Sequence, residues 1–174
     1  MKKFIVTGAT SGLGNYIASQ LNKEKNLIIN LSRKKHKNFI SYGCELSDDL
    51  QIKSVFQKIK KKYKKIDGLI LCAGNSKKSD KGLKSKWIDS LNDNLLSAVF
   101  TIESFKAVFT LKNLDIIIIS SIAGKKIILD APVEYSVSKF ALNYYTKIIS
   151  KQYGNKNTKI NIISPGNILI KNNN

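Results

Sequence analysis

The chain reads as an α/β protein: a doubly wound, open parallel sheet of about six strands with helices on both faces. Three observations predict this. Short apolar runs, Lys3 to Thr7 being the first, alternate with longer segments whose apolar residues recur at three and four residues. The connections between them are short. The fourth run, Ile66 to Ala73, has the unbroken apolar centre Leu69-Ile70-Leu71 that suits a strand buried on both faces.

Length and composition set the bounds. At 174 residues, 43% hydrophobic and 24% charged, the chain is expected to be one globular domain, 1–174. No run of 18 apolar residues suggests a membrane span. Met1-Lys2-Lys3-Phe4-Ile5-Val6 fits a first strand rather than a signal peptide, because Gly8 and Asn15 interrupt the apolar run. Cys44 and Cys72 do not make a disulfide framework and read as reduced thiols of a cytoplasmic protein. A lone histidine, His36, excludes a histidine metal cluster, and no metal site is expected. The formal charge is +18. Its densest run, Lys58 to Lys65, is the solvated face of a helix whose other face carries Ile52, Val55, Phe56, Ile59 and Tyr63. Specific nucleic-acid binding is therefore not expected, although the charge could help attract an anionic cofactor or acyl carrier.

In chain order, the first strand runs into Thr7-Gly8-Ala-Thr-Ser-Gly12-Leu-Gly14, and Leu13, Ile17 and Leu21 then mark a helix. This is a phosphate-binding arrangement. Gly8 permits a tight turn, Gly12 lets the backbone approach a pyrophosphate, and Gly14 lets helix and strand pack closely. The helix amides then face the anion, with Thr10, Ser11 and Leu13 filling the turn. The second strand, Leu27 to Leu31, ends in Ser32-Arg33-Lys34. A carboxylate there would bind ribose hydroxyls, whereas an arginine pairs with a 2′-phosphate, so NADP(H) is favoured over NAD(H).

Phe39 to Cys44 is the third strand, followed by Glu45-Leu46 and by Ser47, the expected N-cap of the lysine-rich helix. The fourth strand closes on Ala73-Gly74. Asn75 to Lys86 is expected to be a loop, and Trp87 to about Phe109 one long helix with Trp87, Leu91, Leu95, Ala98, Ile102 and Phe105 on one stripe. Trp87 reads as core or interface. Asn94 is a polar amide in mid-helix, where it is mildly unfavourable. The fifth strand, Leu114 to Ser120, leads to Ser121. A helix then carries Tyr135 and Lys139 four residues apart and continues through Phe140 to Ile149. An ammonium beside a phenol favours the phenolate, which suits acid–base work. The sixth strand, Lys159 to Ser164, ends in Pro165-Gly166. Ligands of such sheets bind outside the carboxyl ends of the strands, and the polar candidates converge on that rim.

This combination resembles the short-chain dehydrogenase/reductase family in its shorter, single-domain form, on a Rossmann-like fold. The resemblance rests on Thr7-Gly8-x-x-x-Gly12-x-Gly14, Cys72-Ala73-Gly74, Asn94, Ser121, Tyr135, Lys139 and Pro165-Gly166, in order and across nearly the whole chain. It implies an NAD(P)(H)-dependent oxidoreductase interconverting a carbonyl and an alcohol, of 3-oxoacyl, small-ketone or sugar reductase type. Tyr135 would be the general acid or base, and Ser121 would hydrogen-bond the substrate oxygen. Lys139 would assist the tyrosine and bind the nicotinamide ribose, and Asn94 would hold a water that leads from Lys139 to solvent. Glu45 and Leu46 would meet the adenine, Ala73 and Gly74 the cofactor, and Pro165, Gly166 and Ile168 would cradle the nicotinamide. A homodimer or homotetramer through the helices of Asn94 and Tyr135 is implied.

Some residues depart from the family's pattern. Cys72 stands where the family usually has asparagine, Glu45 where it has aspartate, and Ile170 where a threonine often contacts the carboxamide. The segment between Arg33 and Phe39 is too short for a full helix. The chain also reads as lacking the family's C-terminal substrate lid and last strand. That leaves a non-catalytic NAD(P)-binding or regulatory protein on the same fold as the alternative.

Overall fold

A computed structural model describes residues 1–76, 82–153 and 157–168. The apolar runs become strands β1 (Lys3–Thr7), β2 (Leu27–Ser32), β3 (Ile40–Gly43), β4 (Gly68–Leu71), β5 (Asp115–Ile119) and β6 (Lys159–Ile163). The segments of helical period become α1 (Gly12–Lys23), α2 (Asp49–Lys62), α3 (Leu83–Leu91), α4 (Ser97–Val108) and α5 (Val133–Tyr153). All neighbouring strands pair in parallel, in the order β3-β2-β1-β4-β5-β6. The order reverses beside β1, between β1 and β4, which is where a doubly wound sheet of Rossmann type opens its crevice.

The two faces of the sheet differ in size. Alternate strand residues Ile5, Ile29, Leu69 and Ile116 meet α2, α4 and α5 in a large core that includes Phe56, Ile102, Phe105 and Leu142. Residues one step along, Val6, Ile28 and Ile70, meet Ala18, Ile17 and Leu21 of α1 in a smaller one. A strand buried on both faces needs apolar side chains at every position, which explains the unbroken run at β4. Among the described residues no helix is long and apolar enough to cross a membrane.

Three expectations change. The fourth strand is shorter than Ile66 to Ala73, because the amides of Cys72 and Ala73 leave the ladder and donate to Thr7 Oγ1, at 3.0 and 3.1 Å. The N-cap of α2 is Asp48, not Ser47: Asp48 Oδ1 accepts the amide of Gln51 at 3.0 Å. Ser47 instead donates its amide and hydroxyl to Glu45 Oε1.

The third change concerns the long helix. It begins at Leu83, inside the expected loop, and is interrupted by a π-helical segment at Asn92–Leu96. A π turn inserts an extra residue, which rotates the later turns of the helix relative to the earlier ones. Ala98, Ile102 and Phe105 are therefore buried as expected, while Trp87, Leu91 and Leu95 are only partly so. The buried face ahead of the shift carries Ser90 and Asn94 instead.

Candidate active site

The crevice between β1 and β4 is a cleft of about 720 Å³ at the carboxyl ends of the strands. That is within the range of ligand pockets. Its first wall is the turn after β1. Gly8 and Gly12 have φ of +69° and +57°, the left-handed region open to glycine. A Cβ on Gly14 would stand 2.3 Å from the carbonyl oxygen of Gly8, so any side chain there would open the turn. Ser11 caps α1 with no side-chain hydrogen bond, which leaves the first amides of this helix facing the cleft. Unsatisfied amides at a helix start, with a backbone close enough to exclude any Cβ, fit the pyrophosphate of a dinucleotide.

The opposite wall is built on the π segment and α5. Asn94 is 1% exposed. Its Oδ1 accepts the amide of Asn75 at 2.9 Å, and its Nδ2 donates to the carbonyl of Asn75 at 2.9 Å and of Ser90 at 3.1 Å. The unfavourable mid-helix amide thus clamps the loop that follows β4. The chain of hydrogen bonds continues: Ser90 Oγ lies 3.3 Å from Ser138 Oγ, which donates to the carbonyl of Tyr135 at 2.8 Å. The π segment is thereby tied to the first turn of α5.

Tyr135 and Lys139 share one face of α5, as their spacing predicts, with Lys139 Nζ 5.9 Å from the centre of the Tyr135 ring. Lys139 is 4% exposed and donates to the carbonyl of Ile119 at 3.2 Å. Burial lowers its pKa to about 8, against a weaker opposite pull from Cys72. Gly74 completes the junction: a Cβ there would lie 2.9 Å from Asn94 Oδ1 and 3.1 Å from Lys139 Nζ. The burial of Cys72 pushes its thiol up to about 11, so it is neutral at physiological pH.

Ser121 caps the short 3₁₀ turn Ile122–Gly124, its Oγ accepting the amide of Ala123 at 3.2 Å. The turn is stapled to α5 by Asn143, whose Nδ2 donates to the carbonyl of Gly124 at 2.8 Å. It is also tied to the end of β6, since Ile122 donates its amide to the carbonyl of Pro165 at 2.8 Å.

At the far end Ser32, Arg33, Glu45 and Leu46 line the cleft, with Arg33 Nη1 3.9 Å from Glu45 Oε2. Of the residues singled out in the sequence, Gly8, Thr10 to Gly14, Ala73, Gly74, Asn94, Tyr135 and Lys139 also line it. Ser121, Pro165, Gly166 and Ile168 stand outside its lining. Ile170 lies outside the described residues. Sequence reasoning missed Asp93, which lines the cleft, and Thr7, which ties β1 to the end of β4. The Asn92-Asp93-Asn94 triplet gave no clear signal for Asp93, since the same helix also carries Lys84, Lys86, Asp89 and Glu103. Thr7, in an apolar strand, offered none.

Comparisons with known proteins agree with this fold. The family model of short chain dehydrogenases matches residues 2–174. A 3beta-hydroxysteroid dehydrogenase of Mediterraneibacter gnavus is 27% identical over 94% of this chain and 65% of its own. The 3-oxoacyl-[acyl-carrier-protein] reductase FabG of Thermotoga maritima is 26% identical over 95% of this chain and 73% of its own. The ligand-free aldohexose dehydrogenase of Thermoplasma acidophilum superposes with a TM-score of 0.84 at 26% identity, over 95% of this chain and 66% of its own. The chain thus spans about two thirds to three quarters of the length of these proteins.

Proposed function

The chain belongs to the short chain dehydrogenase family, and from that premise we propose that it is an NAD(P)(H)-dependent oxidoreductase interconverting a carbonyl and an alcohol. The observation that carries this is the convergence of Asn94, Lys139 and Tyr135 on one wall of a cleft whose other wall is a glycine-rich helix start with uncapped amides. The cleft fits a dinucleotide, held by the turn from Gly8 to Gly14, by Ser32 and Arg33, by Glu45 and Leu46, and by Ala73 and Gly74. Pro165, Gly166 and Ile168, which follow β6 and stand outside the cleft lining, would be the contacts to its nicotinamide.

When bound, such a cofactor supplies or accepts the hydride. Tyr135 Oη gives a proton to the forming alkoxide, or takes one from the alcohol in the reverse direction. Ser121 Oγ donates a hydrogen bond to the same oxygen and steadies its developing charge. Lys139 holds positive charge beside the tyrosine and binds the nicotinamide ribose. Asn94 fixes the loop at Asn75 and orders a water next to Lys139. Arg33 favours NADP(H) over NAD(H) by pairing with the 2′-phosphate. The relatives act, by their names, on a 3beta-hydroxysteroid and on a 3-oxoacyl-[acyl-carrier-protein]. A small-molecule carbonyl or alcohol is the substrate class, within a single domain over 1–174. Fluorescence titration with NADPH and NADH, followed by turnover against a panel of ketones, oxoacyl thioesters and sugars, tests the reading. Absence of binding to either cofactor would remove it, and binding without turnover would leave a cofactor-binding protein.

Assembly as a homodimer or homotetramer has its own support. Val133, Val137, Phe140, Tyr144 and Ile148 lie along one face of α5 and are 43 to 66% exposed. So continuous an apolar stripe is costly to leave in water. Sedimentation should give a dimer or larger for the wild type and a smaller species for Phe140→Lys with Tyr144→Lys; a monomeric wild type would refute assembly. The free thiols of Cys44 and Cys72 support a cytoplasmic setting. Recovery in a secreted or membrane fraction would count against it.

A further inference from the structure

The ribose end of the cleft is more than a cationic pocket. Arg33 and Lys34 line the cleft, but so do Glu45 and Asp93, and the charges of Arg33 and Glu45 both act on Asp93. The two carboxylates differ in setting. Glu45 is at the surface, its side chain 40% exposed and 3.9 Å from an Arg33 that is itself 74% exposed. Solvent screens such a pair, and it rearranges at little cost. Asp93 is half-buried in the π segment, directly before Asn94 and beside Asn75, so its position is fixed by the same clamp that holds the loop after β4. Burial raises its pKa, with the charge of Arg33 the first influence acting in the opposite direction. A carboxylate poorly reached by water acts on its neighbours through a low effective dielectric.

We propose that Asp93 is a specificity-determining residue, restraining NADP(H) relative to NAD(H) by competing with a 2′-phosphate for Arg33 and repelling it across the cleft. The proposal rests on the cleft being the dinucleotide site. The two cofactors differ only at the 2′ position, so the comparison isolates this end. Any disturbance of Asn94 or of the nicotinamide wall falls equally on both.

The test is fluorescence titration of the full chain with NADPH and NADH, for the wild type, Asp93→Asn and Asp93→Glu. In Asp93→Asn the affinity for NADPH should rise by about three- to tenfold while that for NADH stays within about twofold, a change of preference of the order produced by losing one like charge in the same cleft. Asp93→Glu, which restores the charge, should keep the wild-type ratio. An unchanged ratio in Asp93→Asn, with both cofactors binding, overturns the role of Asp93 and leaves the cleft assignment standing. A parallel loss for both cofactors makes the residue purely structural and overturns the proposal as well. No binding of either cofactor to the wild type removes the dinucleotide reading itself.

Discussion

The two ends of the cleft are built on different principles. At the Tyr135 end, Asn94 and Lys139 are buried to within a few per cent, and bonds of 2.8 to 3.3 Å link Asn75, Asn94, Ser90, Ser138 and the backbone of Tyr135. At the Arg33 end, an exposed guanidinium sits 3.9 Å from an exposed carboxylate, and Lys34 and Asp93 complete the charges. Proton transfer requires hydrogen-bond geometry held to a few tenths of an ångström, which packing supplies. Discrimination between two dinucleotides requires only the right sum of charges, which exposed side chains and one half-buried carboxylate supply. Changes at the first end should therefore act on turnover, and changes at the second on the affinity for one cofactor.

The largest test of that division is Tyr135→Phe. The hydroxyl is lost while the ring, the α5 backbone and its bond from Ser138 remain. Turnover should fall by about 10²- to 10⁴-fold, the usual worth of a positioned proton donor, with cofactor affinity nearly unchanged. Steady-state rates beside a nucleotide titration measure both, and full activity would break the assignment of Tyr135. A smaller effect is expected at Thr7, midway between the ends. Its Oγ1 accepts two part-buried amides, so Thr7→Val leaves both without that partner and should cost roughly 1–3 kcal/mol in urea unfolding. If the cost is nil, the end of β4 is held by packing alone.

Legibility in the sequence divides along similar lines. The turn from Gly8 to Gly14 and the Tyr135–Lys139 spacing were legible because each obeys a local rule: backbone conformation in one case, helical periodicity in the other. The π segment was not legible, since the residues of a π turn obey no pattern distinct from an α-helix. Its cause is tertiary, because the clamp on Asn75 draws Asn94 inward. The choice of Asp48 over Ser47 as cap was ambiguous because both side chains can cap and they are adjacent. Asp93 was hidden for another reason: its meaning depends on Arg33, 60 positions away in the sequence. The approach of distant charges across a cleft leaves no periodicity to detect.

The finest test separates the two ends by proton linkage. Lys139 has a pKa of about 8 in the folded chain, lowered by burial from 10.5. Below about pH 8 both folded and unfolded chains carry this proton. Above it, up to about 10.5, only the unfolded chain binds it, so folding releases a proton and stability rises with pH across that window. Cys44 and Cys72 act with the opposite sign. Burial holds both thiols up to about 11, against 9.0 when free, so above pH 9 the unfolded chain is the one that has lost protons, and stability falls. Lys139 alone contributes a gain of roughly 1 kcal/mol between pH 8 and 9; the two thiols, which begin to ionise in the unfolded chain within that interval, offset more than half of it, so the net rise is roughly 0.3 kcal/mol and reverses beyond pH 9. Urea unfolding of the wild type and of Lys139→Met at about pH 7.5, 8.0, 8.5 and 9.0, in steps of about half a unit through the window, reads the effect: without the lysine the thiols act alone, and stability in the variant should fall across the window relative to the wild type. Arg33→Gln should leave the slope untouched, because that end is wet. A slope shared by all three proteins would mean that Lys139 is solvated in solution, and the contrast between a packed end and an open one would fail where it is sharpest.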